Sequence, residues 1–425
     1  MKLYVNLFLI LCCTTSIFGG GTDYNPFAGS KTLALNGMYY AGTDNAFSFN
    51  PSAIIDLEGF NISLSVIDKI GQQEFASPLN GLRRSYSEDK FNFSGALSWK
   101  YNALALALSY YPVVDFHVSW PYTVLRERNN TKTVRAFDLL SSTQITVISP
   151  SAAYDLGFLT IGLSANIYMM KFKSDFPIMN ESWFSGTGEL GYQFRYEEDG
   201  MGYGGTIGAL MQLGDDLRLG AMVKTPVKID LSGTGISNMF AELDSAATET
   251  DLGGTFEIPL TIGGGVLFNL SPALTLNADA SYLFWGSTEK VFDYEIQNNA
   301  WTNRLNNTDA ITGINAETIT LNLENSFSAG IGIEYLPGGA VHYRAGYRYS
   351  KSPYSAETYN MLLPAVDTHD FSFGIGYFEE KYSIDLTLLY SAGLSKSISN
   401  TTVPVNSGKY KSRTVVPALT LSYKL

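Results

Sequence analysis

Most of the chain alternates apolar and polar residues in runs of about ten, which fits a strand with one apolar and one polar face. Leu274, Leu276, Ala278, Ala280, Tyr282 and Phe284 share one face, against Thr275, Asn277, Asp279 and Ser281. Tyr382, Ile384, Leu386, Leu388 and Tyr390 oppose Ser383, Asp385 and Thr387 in the same way, and Val341, Tyr343, Ala345, Tyr347 and Tyr349 oppose His342, Arg344, Gly346 and Arg348. Each apolar face is long enough for a tilted strand of about 9–11 residues to cross a bilayer, with aromatic residues toward its ends. A soluble sandwich would turn the same face inward, and periodicity alone does not separate the two.

Turn spacing does. The pattern predicts strands at about 57–68, 91–100, 103–119, 136–154, 157–172, 201–213, 216–230, 256–269, 273–290, 324–337, 340–350, 369–379, 381–392 and 412–425. Six connections are short and carry turn residues: Tyr101-Asn102, Asp155-Leu156-Gly157, Gly214-Asp215-Asp216, Leu270-Ser271-Pro272, Pro337-Gly338-Gly339 and Glu379-Glu380-Lys381. Long polar connections lie between them in strict alternation. All short turns then lie at one rim and all long loops at the other, as in outer-membrane barrels with periplasmic turns. The expected fold is all-β: a transmembrane antiparallel β-barrel of about fourteen strands, its wall spanning 57–425.

Composition agrees. Hydrophobic residues make up 45% and charged residues 16%, with 27 Tyr and 25 Phe, yet no apolar run reaches the roughly 18 residues of a membrane helix. Residues 1–21 read as a signal peptide: Lys2, an apolar stretch from Leu7 to Cys13, and Gly19-Gly20-Gly21 as a small-residue exit. Both cysteines, Cys12 and Cys13, fall inside it, and Leu9-Ile10-Leu11 lacks the small residue of a lipoprotein site. The mature chain therefore has no disulfide or thiolate site. The expected location is the outer membrane of a Gram-negative (diderm) bacterium. A net charge of −12 argues against a nucleic-acid partner, which needs a basic face.

One stretch does not alternate. Residues 22–56, and Gly29 to Ala53 above all, are rich in Gly, Ala, Asn and aromatic residues. A barrel of about fourteen strands is too wide for its wall side chains to fill. This segment is expected to fold into the lumen as a hatch, with Phe47, Phe49, Asn50 and Pro51 at its heart.

Several segments together resemble the FadL/TodX family of outer-membrane transporters for long-chain fatty acids and other hydrophobic compounds. Gly29-Ser30-Lys31, Leu35-Asn36-Gly37, Ala46 and Asn50-Pro51-Ser52-Ala53 are similar to the family's N-terminal segment, with Asn36 where Gly is usual and Ser52 inserted before Ala53. Gly204-Gly205-Thr206-Ile207-Gly208, Leu217-Arg218-Leu219-Gly220 and Lys224-Thr225-Pro226-Val227-Lys228 resemble its mid-barrel hairpin. Ile258-Pro259-Leu260, Gly263 to Gly265, Pro272 and Trp285 follow the next, and Arg344-Ala345-Gly346-Tyr347, Lys351-Ser352-Pro353 and Leu363-Pro364-Ala365 the one after. The resemblance implies a hatch, a kinked third strand opening a lateral gap, and a capture groove between two extracellular loops. In the third strand Pro112 follows Tyr110, and a proline there removes a ladder donor: it is either a gate bulge or a proline near the extracellular rim, where pairing frays anyway.

Ligand contacts are expected in the loops. Ile236, Met239, Phe240 and Leu243 have the spacing of one face of a short helix, and Phe176, Ile178, Met179, Trp183 and Phe184 crowd the loop 174–200. These loops either form a groove or merely pack on each other as a cap. Alternation turns the cations Arg218, Lys224, Lys228, Arg344 and Arg348 toward the lumen, with Asp279 and Asp385. Each then pairs with an acid or the hatch, or receives a carboxylate. Three histidines, His117, His342 and His369, offer no metal cluster. An outer-membrane phospholipase would need a Ser/His pair; His369 lies near Ser372, but any chain this rich in Ser offers such neighbours. No energy-coupling box is evident.

The expectation is passive uptake of hydrophobic small molecules such as fatty acids by a monomer in outer-membrane lipid, with no cofactor, no metal and no enzymatic activity. The alternative is a PorV-type barrel of type IX secretion, which binds cargo proteins with its loops. The absence of Lys, Arg and His between Lys228 and Lys290 would suit such a partner.

Overall fold

The computed structural model describes residues 29–42, 48–77, 81–86, 91–128, 131–179, 191–238, 248–302, 316–355, 359, 365–399 and 407–425. The segment read as a signal peptide lies outside them. Fourteen strands form the wall. They are β1 (Gly59–Asp68), β2 (Phe91–Tyr101), β3 (Leu104–Arg128), β4 (Thr131–Asp155), β5 (Thr160–Met179) and β6 (Gly191–Leu213). The next two are interrupted: β7 (Leu217–Lys224 with Val227–Ser237) and β8 (Glu249–Ile258 with Thr261–Ser271). The circuit continues through β9 (Leu274–Leu283), β10 (Ser326–Tyr335), β11 (Val341–Ser350), β12 (Thr368–Phe378), β13 (Tyr382–Gly393) and β14 (Gly408–Lys424). Neighbours pair antiparallel in chain order, and β14 closes on β1 through Asn61↔Lys424 to Ile67↔Ala418. No described helix is long and apolar enough to cross a membrane.

Period-2 patterning explains the wall. Phe371, Phe373, Ile375 and Tyr377 of β12 and Tyr382, Ile384, Leu386, Leu388 and Tyr390 of β13 are exposed, while Asp370, Ser372, Asp385 and Thr387 between them are buried. The outward set faces lipid. Trp99 stacked on Tyr101, with Tyr154, Tyr335, Tyr377 and Tyr423, rims the short-turn end, as aromatic girdles do. At that end Gly214 and Gly338 take positive φ, the backbone form that a tight turn demands and glycine adopts without strain.

The long connections differ from expectation. β3 and β4 run far past the predicted 103–119 and 136–154 and pair out to Arg128↔Thr131. The connection between them is itself a hairpin. Its sequence carries Arg126, Glu127, Arg128, Lys132, Arg135 and Asp138, so no apolar face marked it as strand. A second hairpin, Ile70–Ser77 with Gly81–Tyr86, occupies the first long connection and pairs with β14. An inner strap follows β9, where Val291–Asp293 pairs with Thr318–Thr320 and Glu295 pairs with Gly253 of β8. The predicted strand 273–290 therefore ends at Leu283, and Trp285–Ser287 form a 3-10 turn.

Candidate functional site

Residues 29–42 and 48–56 lie against the lumenal face of the wall. A one-turn helix, α1 (Ser30–Ala34), is followed by Asn36 and Gly37 at φ of 81° and 73°, which reverse the chain. Asn tolerates that region better than other side-chain-bearing residues. A 3-10 turn, Pro51–Asp56, then leads to β1 with Pro51 at its first position and Asn50 as its cap.

Wall side chains bond directly to the backbone of this segment. Ser30 N donates to Thr420 Oγ1 at 2.8 Å, Thr387 Oγ1 donates to Ser30 O at 2.7 Å, and Ser372 Oγ donates to Ala34 O at 2.9 Å. Asp279 accepts from Tyr40 N at 2.8 Å. Asn50 is fully buried and uses its whole amide: Nδ2 donates to Tyr40 O (2.8 Å) and Ala209 O (3.0 Å), and Oδ1 accepts from Ser52 N (3.1 Å). Glycines on the wall make room for this main chain, and a methyl at Gly220 would overlap the Tyr40 carbonyl. Phe49 is buried edge-on to Tyr40 at 5.7 Å. Pro51 is buried too, whereas Phe47 lies outside the described residues.

Four of the five predicted lumenal cations face inward. Arg218 bridges Asp56 of the inner segment at 2.8 Å, Arg344 bonds Glu334 and Asp385, and Arg348 bonds Asp370. Lys31 of α1 reaches Glu334 at 3.7 Å. Lys224 differs. It is buried, and its Nζ donates to the Ser48 carbonyl at 3.1 Å, with no acidic partner among the described residues. Lys228 corrects the expectation: it points outward and pairs with Glu257 at 2.7 Å. Thr225-Pro226 is the cause. Three residues of β6 face four of β7 between Thr206↔Lys224 and Gly202↔Ile229, so the parity flips and Val227 rather than Lys228 turns inward.

The loop predictions fare unevenly. Phe176 is buried, but within β5, stacked on Phe194 at 5.8 Å and edge-on to Tyr196. Ile236 does not begin a helix: it lies in β7, pairs with Glu249 and faces outward. Backbone pairing on both sides holds it extended, overriding the helical spacing. Met179 ends β5, while Trp183, Phe184, Met239, Phe240 and Leu243 fall outside the described residues.

Sequence reasoning missed where the apolar space lies. A cavity of about 60 Å³ is lined by Val114, Ile145, Met170, Phe172, Phe256 and Phe292, with Leu321, Leu323 and Tyr354. Beneath it, a polar cavity of about 50 Å³ lies against Met38, Tyr40 and Phe49 and includes Lys224 and Arg348 in its lining. Trp285 and Pro353 line both and form the partition. A third space of about 170 Å³ opens at the short-turn rim between Lys31, Ser63, Ser98 and Asp385.

The wall is interrupted beside Val114. The β2–β3 ladder runs from Tyr101↔Leu104 only to Gly95↔Tyr110. Just above, the register of β3 against β4 slips between Pro112 and Val114. The slip reverses the strand: Leu104, Leu106, Leu108 and Tyr110 face lipid, whereas Val114, Phe116, Val118 and Trp120 are buried. Past the break, side chains replace the ladder. Asn92 Nδ2 donates to Asp115 Oδ2 at 2.7 Å, and Lys69 Nζ donates to the Asp115 carbonyl at 2.8 Å.

His369 and Ser372 stand on opposite faces of β12. His369 bonds Tyr347 and Ser372 bonds α1, so they form no nucleophilic pair.

Residues 37–425 match the family described as outer membrane protein transport protein (OMPP1/FadL/TodX). No curated protein matches significantly. Among solved structures, a Pseudomonas aeruginosa FadL homologue superposes with a TM-score of 0.76 at 14% identity, over 95% of this chain and 100% of that one. The Ralstonia pickettii toluene transporter TbuX gives 0.68 at 17% identity over 93% and 98%. The P. putida toluene transporter TodX gives 0.68 at 16% identity over 96% and 99%. At such identities the likeness is one of fold.

Proposed function

Starting from a chain that belongs to the OMPP1/FadL/TodX family of outer-membrane transport proteins, we propose that it takes up hydrophobic compounds passively and releases them sideways through a seam between β2 and β3. Its fold and family place it in the outer membrane, and the family is one of transport proteins rather than enzymes. The observation that carries the lateral route is Val114, which lines the apolar cavity and stands at the register slip just beyond the last β2–β3 pair, Gly95↔Tyr110. A ligand leaving that cavity meets the wall where main-chain pairing is replaced by a few side-chain bonds. Parting those bonds costs far less than unzipping a continuous ladder.

An apolar cavity next to one that holds Lys224 favours an amphiphile with an apolar tail and an anionic head, of which a long-chain fatty acid is the plainest case. An engineered cavity of about 150 Å³ holds benzene, so a space of about 60 Å³ admits a ring or a long chain alike only after its lining moves, and the charge next to it rather than its volume favours the acid. Across the Trp285–Pro353 partition, Lys224 offers a buried ammonium whose described partner is a carbonyl of the hatch. A carboxylate there would supply the missing counter-charge and compete for the bond to Ser48, loosening the hatch as it binds. The names of the structural relatives make aromatic hydrocarbons the competing substrate class.

Cargo binding is less well supported. Among the described residues the acidic stretch forms no single outer face: Glu257 pairs with Lys228, while Asp279 is buried in the lumen. Uptake of a fluorescent fatty acid by a deletion strain, with and without the gene restored, tests the proposal, and lipid co-purifying with the protein would identify the class by mass spectrometry. Normal uptake in the deletion strain together with lost secretion of a cargo protein would replace this reading with the cargo one.

A further inference from the structure

Glu198 lies on the inward face of β6, in the part of the wall above the lipid-facing residues Met201 and Tyr203. Its side chain is buried, and neither carboxyl oxygen has a hydrogen-bond partner among the described residues. Its cross-strand neighbours are Phe172 of β5 and Gly233 of β7, neither of which offers a side-chain donor. The inner strap packs against the same face. Tyr294 stacks edge-on to Tyr196 at 4.7 Å, and Glu295 exchanges two backbone bonds with Gly253 of β8, at 2.7 and 3.1 Å.

The charged surroundings are one-sided. Glu295 of the strap is the charged group acting on Glu198, with Tyr294 beside it and Tyr196 on its own strand. Glu317, at the return of the strap, faces Tyr196. The cations of β5 do not help: Lys171 is on the outer face, and so is Lys173, which pairs there with Glu197 at 2.6 Å. An ionised Glu198 would therefore be unpaired, buried and next to a like charge, which is costly. The cost is removed by taking a proton or by lifting the strap to admit water.

We infer that Glu198 is a proton-binding site that seats the strap 291–297: protonated, it lets the strap close over the wall, and ionised, it drives the strap off. Burial first, and the charge of Glu295 second, push this carboxyl up to about 7. An acid whose value is raised only in the seated state stabilises that state fully below its ordinary value near 4.5. The stabilisation is lost as pH rises toward 7 and levels off above. The ratio of open to seated strap then rises roughly tenfold per pH unit in that window. Phe292, on the strap, lines the apolar cavity, so lifting the strap widens the space for a ligand. That consequence rests on the transport reading, whereas the seating does not.

Hydrogen exchange by the full chain in nanodiscs, corrected for the intrinsic pH dependence of exchange, separates the two. The amides to follow are Gly253, Glu295 and Gln297, which bond across the strap–β8 contact. In the native protein their protection should fall about tenfold per pH unit from pH 5 to 7. It should be flat in Glu198→Gln, and in Glu295→Gln its midpoint should move to lower pH. Protection independent of pH in the native protein, or an unchanged slope in Glu198→Gln, overturns the inference. Should Glu198→Gln fail to fold, an unchanged midpoint in Glu295→Gln does the same. A pH-dependent strap with no fatty-acid uptake at any pH would instead count against the transport reading.

Discussion

Asn50 is the residue on which the inner segment turns. Its amide ties Tyr40 to Ala209 and caps the 3-10 turn at Ser52. Asn50→Ala strands two buried carbonyls, at about 1–3 kcal/mol each. Asn50→Asp is worse, because it aims a carboxylate at the same two carbonyls. Both should loosen the hatch without unfolding the wall, read as raised single-channel conductance with normal heat-modifiability on gels. Lys224 makes a sharper prediction about substrate. Lys224→Met removes one charge-assisted hydrogen bond, about 1.5–3 kcal/mol, so affinity for a fatty acid should fall by roughly 10- to 100-fold. Uptake of toluene should not fall with it; an equal change in both, as from a loosened hatch, would assign Lys224 to the hatch alone. Much of this was legible. The lumenal placement of Arg218, Lys224, Arg344 and Arg348 followed from parity, whereas Lys228 did not, because a one-residue bulge resets the count. The signal was present in Thr225-Pro226, since proline inside a strand pattern is where parity stops being safe.

At the scale of elements, β3 does the most. Pro112 has no amide hydrogen to give, and the slip to Val114 turns an outward strand into one that buries Val114, Phe116, Val118 and Trp120. Pro112→Ala restores a donor and lets the β2–β3 ladder extend past Tyr110, so uptake should fall while the barrel stays folded. Unchanged uptake would remove Pro112 from the route. The hatch can be wedged as well as unbonded. Gly220→Val would overlap the Tyr40 carbonyl, and conductance should rise as the segment is displaced. The interruption at Pro112 could be read from sequence; the cavity beside it could not. Its lining comes from β3, β4, β5, β8, the strap and the loop after β11, brought together only by closure. The long hairpin of β3 and β4 was hidden for another reason: its sequence, with Arg126, Glu127, Arg128, Lys132 and Arg135, carries no apolar alternation.

For the whole molecule, wall and plug are separable in cause. Lipid-facing alternation and backbone pairing hold the barrel, while the inner segment is held by bonds from the lumen. Deleting residues 30–56 should leave a folded barrel with a much larger, steady conductance. Fourteen strands and their short turns could be argued from pattern alone, because membrane thickness and ladder closure leave few alternatives. The proposed substrate could not, since that proposal rests on where one buried ammonium sits relative to one small apolar space. Above all, the proposed route takes the hydrophobic substrate out through the wall. With Cys12 and Cys13 the only native cysteines, a reducible bis-methanethiosulfonate tether between Asn92→Cys and Asp115→Cys can bridge the seam where those side chains now meet. Fluorescent fatty-acid uptake should stop when the tether is complete and return on reduction. Undiminished uptake by fully tethered protein would contradict lateral release and redirect the route to the opening at the short-turn rim.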